Sequence, residues 1–351
     1  MDLMTGKKTR RGAAAITLHD VAKAAGVSPM TVSRVIRGET SVNQEMREQV
    51  EATIARTGYS PNPAARGLAS GGVTRVGILY GNPSASFTSD MLVGLLEGGS
   101  RLGCQLILKR CDDPVHACDH ARALVQAKVQ GVILSAPLCD NQNLATYFAE
   151  VRVPSLALGA ASDNGHPLSL LINNQAAAGD LTRYLIKMGH RDIGFVRGHV
   201  SQLDSEQRLQ GFLSALQDAG LPLRADRITQ GDYSFRSGME AGDRLLSRSD
   251  RPTAIFASND EMAAGVLAAA YRLRLDVPTE LSVVGFDDSA IAATSWPGLT
   301  TMRQPIAEMG AQALEMMIGE LRGRGKRRKL AQRSLTLQLK LVERESVSAR
   351  Q

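Results

Sequence analysis

Arg34 stands close to three short hydroxyl side chains, Ser28, Thr31 and Ser33, in the string Ser28-Pro29-Met30-Thr31-Val32-Ser33-Arg34. A guanidinium can fork the two acceptors on a guanine edge, and small hydroxyls suit phosphate oxygens. Further on, Cys111, His116 and His120 crowd together, and the two histidines are spaced to share a helix face. That trio could hold zinc; the blander reading is a solvated helix start with Asp113 as its N-cap. Asp287 and Asp288 are adjacent carboxylates, too close in sequence to flank a glycosidic bond as an acid–base pair. The six histidines are scattered and make no triad. No Gly-rich phosphate string occurs. The chain therefore reads as a binder and not an enzyme, with no cofactor and no metal expected.

The elements that must position Arg34 are short helices. Leu18, Val21, Ala22 and Ala25 recur at spacings of three and four, so they share one apolar face. Gly26 supplies a turn that needs positive φ. Ser28 is a good N-cap, and Pro29 fits the first helical position, where its missing donor is not needed. Val32, Val35 and Ile36 form the next apolar face. This is helix-turn-helix patterning, with a third helix over about 43–56 and Met46, Val50 and Ile54 turned inward. The second helix would present Pro29, Met30, Thr31, Ser33 and Arg34 to a major groove. Pro29 and Met30 donate no hydrogen bond, so most hydrogen-bonded base readout falls to Arg34. Pro29 reads equally well as a helix starter.

Charge agrees with a polyanion partner at one end. The net charge of the 351 residues is +6. Residues 1–70 carry ten basic and six acidic side chains, and Arg322–Lys329 adds six basic ones, so the remainder is mildly acidic. Residues 1–15 read as a disordered basic arm. Hydrophobic residues at 43% and charged ones at 22% exclude a long disordered chain. The apolar runs are too short or too Ala-rich to span a bilayer, which takes roughly 20 residues. No secretory signal is visible, and four cysteines without CxxC spacing read as reduced thiols, so the expected location is the cytoplasm.

After Tyr59-Ser60-Pro61-Asn62-Pro63, a linker over 59–72, apolar strands alternate with amphipathic helices to residue 342. That pattern predicts βαβ units and parallel sheets covered on both faces. Two such blocks, breaking near Asn173-Asn174, predict two similar lobes. Leu335, Leu337, Leu339 and Leu341 alternate within 334–342, which reads as one half-buried edge strand. The remaining residues, 343–351, read as a tail.

Residues 17–70 resemble the DNA-binding headpiece of the lactose/galactose repressor family. The matching strings are T-L-H-D-V-A-K-A-A-G-V-S-P-M-T-V-S-R-V-I and G-Y-S-P-N-P-A-A-R-G-L-A-S. The resemblance implies that Thr17, Ser28, Pro29, Met30, Thr31, Ser33 and Arg34 contact DNA. It also implies a hinge helix that orders on the operator, with Asn62 and Ala65 as contacts and Leu68 wedged into the minor groove. Apolar wedges do unstack base steps and bend a duplex.

Residues 73–342 resemble the effector domain of the same family, itself similar to type I periplasmic sugar-binding proteins. The motifs are Arg208-Leu209-Gln210-Gly211-Phe212, Gly231-Asp232-Tyr233, Ala257-Ser258-Asn259-Asp260, Val283-Val284-Gly285-Phe286-Asp287-Asp288 and Leu299-Thr300-Thr301-Met302-Arg303-Gln304-Pro305. The implied fold class is α/β: a three-helix headpiece (16–58) followed by two doubly wound lobes. One lobe would take about 73–173 and 305–333, the other about 174–302 and 334–342.

The resemblance further implies a small sugar between the lobes, held by Phe87, Arg208, Tyr233, Asn259, Asp287 and Gln304. The chemistry suits a polyol: Arg208 forks two hydroxyls, Asp287 accepts two, and an aromatic covers the ring face. Ser86 and Asp204 are weaker candidates, and Trp296 could pack between lobes or touch ligand. The implied function is a sugar-controlled transcription repressor, a homodimer on a palindromic operator. The alternative is a periplasmic-type sugar-binding protein without regulatory role.

Overall fold

Thr17 starts the first helix by a reciprocal cap. In the computed structural model its hydroxyl donates to Asp20 Oδ2 at 2.7 Å, and Asp20 N donates back to Thr17 Oγ1 at 3.3 Å. The structure describes residues 16–36, 42–59, 73–323 and 334–350. The basic arm (1–15), the hinge positions Asn62, Ala65 and Leu68, and most of the basic run after Arg322 lie outside the described residues. Contacts divide the chain into two units, residues 1–73 and 74–351.

In the first unit, α1 (Leu18–Ala24), α2 (Pro29–Ile36) and α3 (Gln44–Thr57) enclose a small core of Val21, Ala22, Ala25, Val32, Val35 and Val50. Gly26 carries the turn at φ +62°, as its place in the sequence predicts. Gln49 Nε2 donates to Ala25 O at 3.1 Å and ties α3 to the end of α1. Asn43 caps α3, and Gly58 ends it at φ +65°. Val50 is buried as expected, while Met46 and Ile54 are only half-buried.

The second unit holds two six-stranded sheets. Lobe 1 contains β1 (Arg75–Tyr80), β2 (Gln105–Arg110), β3 (Gly131–Ser135), β4 (Ser155–Ala160) and β5 (Leu168–Ile172). Its helices are α4 (Ala85–Leu102), α5 (Ala117–Gln126) and α6 (Gln142–Glu150). Lobe 2 contains β6 (Ile193–Arg197), β7 (Ile228–Gln230), β8 (Ala254–Ala257), β9 (Ser282–Asp287) and β10 (Thr300–Arg303). Its helices are α7 (Asn174–Lys187), α8 (Leu203–Asp218), α9 (Phe235–Leu246), α10 (Asp260–Arg272) and α11 (Ala290–Thr294). The chain then returns to lobe 1 with α12 (Ile306–Gly323), and ends with β11 (Ser334–Leu337) and β12 (Lys340–Val342).

The sheets run β11-β5-β4-β3-β1-β2 and β12-β10-β9-β8-β6-β7. Apart from β11 and β12, both follow one parallel, doubly wound order, so the two lobes repeat one plan. The inner strands β4 and β9 are buried along their whole length, which is why they read as continuous apolar runs. Helices cover both faces, and α12 packs against α4.

Two expectations for the C-terminal segment need correction. The predicted single strand over 334–342, assigned whole to the second lobe, is two strands in different sheets. β11 pairs with β5 in lobe 1, parallel, and β12 with β10 in lobe 2, antiparallel. Gln338 and Leu339 make the crossing between lobes. The alternation of leucines survives the break because both strands are half-buried edges. The supposed tail is part of lobe 2: Ser346 is fully buried, its Oγ donating to Val283 O at 2.6 Å and accepting from Thr300 N at 2.8 Å. The short β7 and α11 carried too few residues to show a period.

Candidate nucleic-acid interface and ligand site

The N-terminal end of α2 presents what groove reading needs. Pro29 is its first residue, and Ser28 Oγ caps it by accepting from Thr31 N at 3.1 Å. The two hydroxyls of Ser28 and Thr31 also bond each other at 2.8 Å. Thr17 is an exposed cap of α1. Pro29, Met30 and Arg34 are exposed, Met30 to 58%, while Thr31 and Ser33 are half-buried.

In the second unit, the predicted ligand residues gather where strands end. Arg208 stands one turn into α8 from Asp204, Tyr233 follows β7, Asn259 follows β8, Asp287 ends β9 and Gln304 follows β10. From lobe 1, Asn82 and Ser84 follow β1, and Phe87 opens α4. The cleft narrows to a small cavity of about 10 Å³ lined by Asn82, Ser84, Phe87, Asp204, Arg208, Tyr233 and Asp287. It lies at the carboxyl ends of both sheets, where doubly wound folds take ligands.

Arg208 organises it. Only 3% exposed, its guanidinium lies 3.9 Å above the Phe286 ring. Nε donates to Asn174 Oδ1 at 3.0 Å, and Nη1 donates to Ser258 O. Nη2 sits 3.7 Å from both Asp204 Oδ2 and Asp287 Oδ1. At 3.7 Å the carboxylates face the guanidinium by charge without a hydrogen bond to it, so each keeps acceptor capacity for a ligand hydroxyl. Burial works against the charge of Arg208, but Tyr233, Asp287 and Asp204 outweigh it and raise its pKa. Burial pushes the Asp287 carboxyl up to about 7, against the lowering pull of Arg208 and Gln304. Behind it, burial raises Asp260 to about 8, helped by the charge of Asp287.

Tyr233 and Asp287 hold φ of +73° and +108°, and Asp288 +59°. Such backbone is costly for side-chain residues and persists where the surroundings impose it, commonly at binding sites.

Not every expected residue lines the cavity. Asn259 takes the cap role: its Oδ1 accepts from Met262 N at 3.0 Å and its Nδ2 donates to Tyr233 O at 3.0 Å. It holds Tyr233 in place. Gln304 donates to Asp287 Oδ1 at 2.5 Å, and its own Oε1 is buried without a partner. Ser86 spans the lobes, donating from N and Oγ to Glu261 Oε1 at 3.1 and 2.6 Å. Trp296 is 92% exposed and neither packs between the lobes nor lines the cavity. Asp204 does line it and accepts from Tyr233 Oη at 3.1 Å.

Sequence reasoning missed Asn82 and Ser84, whose only signal was their place after the first strand. Two of the zinc-like trio are taken up locally: His116 Nδ1 meets Asp113 Oδ2 at 2.8 Å, and the Cys111 thiol donates to Asp113 O at 3.2 Å.

Residues 17–62 match the model of bacterial regulatory proteins of the lacI family, and 182–347 that of a periplasmic binding protein-like domain. Catabolite control protein A of Priestia megaterium is 34% identical over 307 residues, 86% of this chain and 91% of the relative. The transcriptional repressor PurR of Serratia proteamaculans (strain 568) is 33% identical over 337 residues, 95% of this chain and 97% of the relative. The chain belongs to the lacI family of bacterial regulatory proteins.

Solved structures of this lacI-family fold agree. A Lac repressor dimer bound to operator and the anti-inducer ONPF aligns with TM-score 0.73 at 28% identity, covering 95% of this chain and all of that one. A complex of the transcriptional regulator CelR with cellobiose aligns with TM-score 0.70 at 28% identity, covering 94% and 99%. This lacI-family chain is a DNA-binding transcription regulator under ligand control, built as a helix-turn-helix headpiece and two α/β lobes. Among the described residues, no helix is long and apolar enough to cross a membrane.

Proposed function

We propose that this regulator is a cytoplasmic repressor that binds a palindromic operator as a homodimer and is released by a small sugar. The single observation that carries the sugar is Arg208, buried, with Asp204 and Asp287 each 3.7 Å from the same guanidinium nitrogen. Adjacent hydroxyls can accept from the cation and donate to the carboxylates together. Arg208 is the one cation of this lining and two carboxyl groups already face it, which favours an uncharged polyol over a phosphorylated or carboxylated one. Phe87 offers an apolar face for a sugar ring. The sugar complex of CelR and the operator complex of the Lac repressor support the same assignment.

One headpiece reads one half-site, so a dimer requires an inverted repeat. The switch is a population shift: sugar favours closed lobes, in which Ser86 and Glu261 are bonded, and the closed state grips DNA less tightly. Turnover is not part of the function, because the two cleft carboxylates are tied to Arg208 and Gln304, which suits holding hydroxyls. The hinge contacts Asn62, Ala65 and Leu68 belong to the same proposal.

The test is a melting screen of the full chain against neutral mono- and disaccharides and their phosphates, followed by a gel shift with the best ligand. A ligand of the native state raises the melting temperature by mass action. A neutral sugar should do so and release the operator. Stabilisation by phosphorylated sugars alone would refute the effector class, and hydrolysis of the sugar would refute the assignment as a pure binder.

A further inference from the structure

The far side of lobe 2 carries a second, larger cavity. Its volume is about 250 Å³, and it lies between the end of α8, the loop before β7 and the start of β6. The ligand cleft is at the opposite, carboxyl end of β6, so the two sites do not overlap. The walls are apolar, with Phe212, Leu216, Leu221 and Ile228 among them. The polar lining is Arg191, Arg224 and Arg227 against the single carboxylate of Asp192.

Arg227 is the unusual member. It is 2% exposed and clamps Asp192 with two bonds of 2.6 Å, from Nε and Nη2. Nη2 also donates to Asp250 O. Nη1 is buried and makes no hydrogen bond; the nearest carboxylate oxygen, Asp226 Oδ2, is 3.7 Å away. A buried guanidinium N–H without an acceptor is unfavourable, and native interiors rarely leave one. Arg224 is already shared among Asp192, Asp226 and Asp250, while Arg191 donates to Ile186 O from the exposed rim. Counting all charged groups of the cluster, Arg248, Asp226 and Asp250 included, cations exceed carboxylates by one.

We infer that this cavity is a binding site for a small apolar carboxylate, one ring or a short chain, whose acid group meets the arginine side. Apolar walls with a few convergent polar groups are the ordinary make-up of a small-molecule site. Drug-sized ligands fill roughly 300–1,000 Å³, so this cavity takes something smaller. The net positive lining selects the anion over its neutral analogue. The site is independent of the sugar assignment and of the cleft that carries it.

Benzoate and hexanoate are the probes, with benzyl alcohol as the neutral control, on the full-length chain. Saturable benzoate binding is expected by calorimetry or ligand-observed NMR, on the order of tenfold tighter than benzyl alcohol. Leu221→Trp, which fills the cavity from a half-buried wall, should abolish it. Arg191→Gln, an exposed change that leaves the buried ion cluster intact, should weaken it several-fold. Asp287→Ala, which disables the cleft, should leave benzoate binding unchanged. Equal binding of benzyl alcohol, or benzoate binding that persists in Leu221→Trp, would overturn the proposal. So would no saturable binding of either acid, the result expected if the cavity holds only water. Benzoate binding lost in Asp287→Ala would place the acid in the inter-lobe cleft and equally sink it.

Discussion

Asp287 lines the cleft proposed for the effector and is itself perturbed by the fold. Its carboxyl is raised to about 7, far above the ordinary aspartate value, because burial penalises the charged form. A raised acid contributes stability in its neutral form. That contribution is full below the unfolded value near 4 and is lost as pH rises through about 7. A sugar hydroxyl that donates to the carboxylate favours the opposite, charged form. Effector affinity should therefore rise between pH 6 and pH 8, with proton uptake by buffer seen in calorimetry at pH 6.5. A pH-independent affinity would count against Asp287 as a ligand acceptor. At the other unit, Arg34→Ala should cost on the order of 1–3 kcal/mol of operator binding in a gel shift and leave sugar-induced melting shifts intact. Unchanged operator retention would remove Arg34 from the groove.

Helices and strands decide whether such residues meet. The lobes repeat one strand order, so two sets of strand ends face a shared cleft. Ser86, at the start of α4, bonds Glu261, at the start of α10, across the lobes. Hydrogen bonds to charged groups are worth roughly 1.5–3 kcal/mol. Ser86→Ala should thus weaken sugar binding about tenfold while operator affinity without sugar stays within about twofold. A sugar affinity equal to the parent would show that this bond forms in both states. Close helix contacts are equally exacting. A Cβ on Gly211 of α8 would lie 2.1 Å from Gln175 O of α7, a backbone atom that cannot turn aside. Gly211→Ala should destabilise the body by about 1–3 kcal/mol, read as a lower melting temperature. A variant as stable as the parent would mean that α7 and α8 can separate without loss.

For the whole molecule, the division into two units predicts separable functions. A chain beginning at Thr74 should keep the sugar-induced rise in melting temperature and lose operator binding. Loss of the sugar response in that fragment would show that the headpiece completes the effector site.

The sequence alone determined more of the first unit than of the second. Thr17, Gly26, Ser28-Pro29 and the apolar spacing around Val21, Val32 and Val50 act through neighbours three or four residues away, so capping and turn chemistry are local and legible. Strand and helix alternation likewise foretold two parallel-sheet lobes. Tertiary structure alone decided which polar groups line the cleft. On paper Asn259 reads as the stronger hydroxyl binder and Asp204 as the weaker. Asn259 is consumed by Met262 N and Tyr233 O, whereas Asp204 reaches the cavity. It alone also decided that 334–342 crosses between sheets, since a period of two reads the same on either side of the break. Hydrogen-bond capacity belongs to a residue type, but its allocation depends on partners tens of residues away, and no local pattern records them.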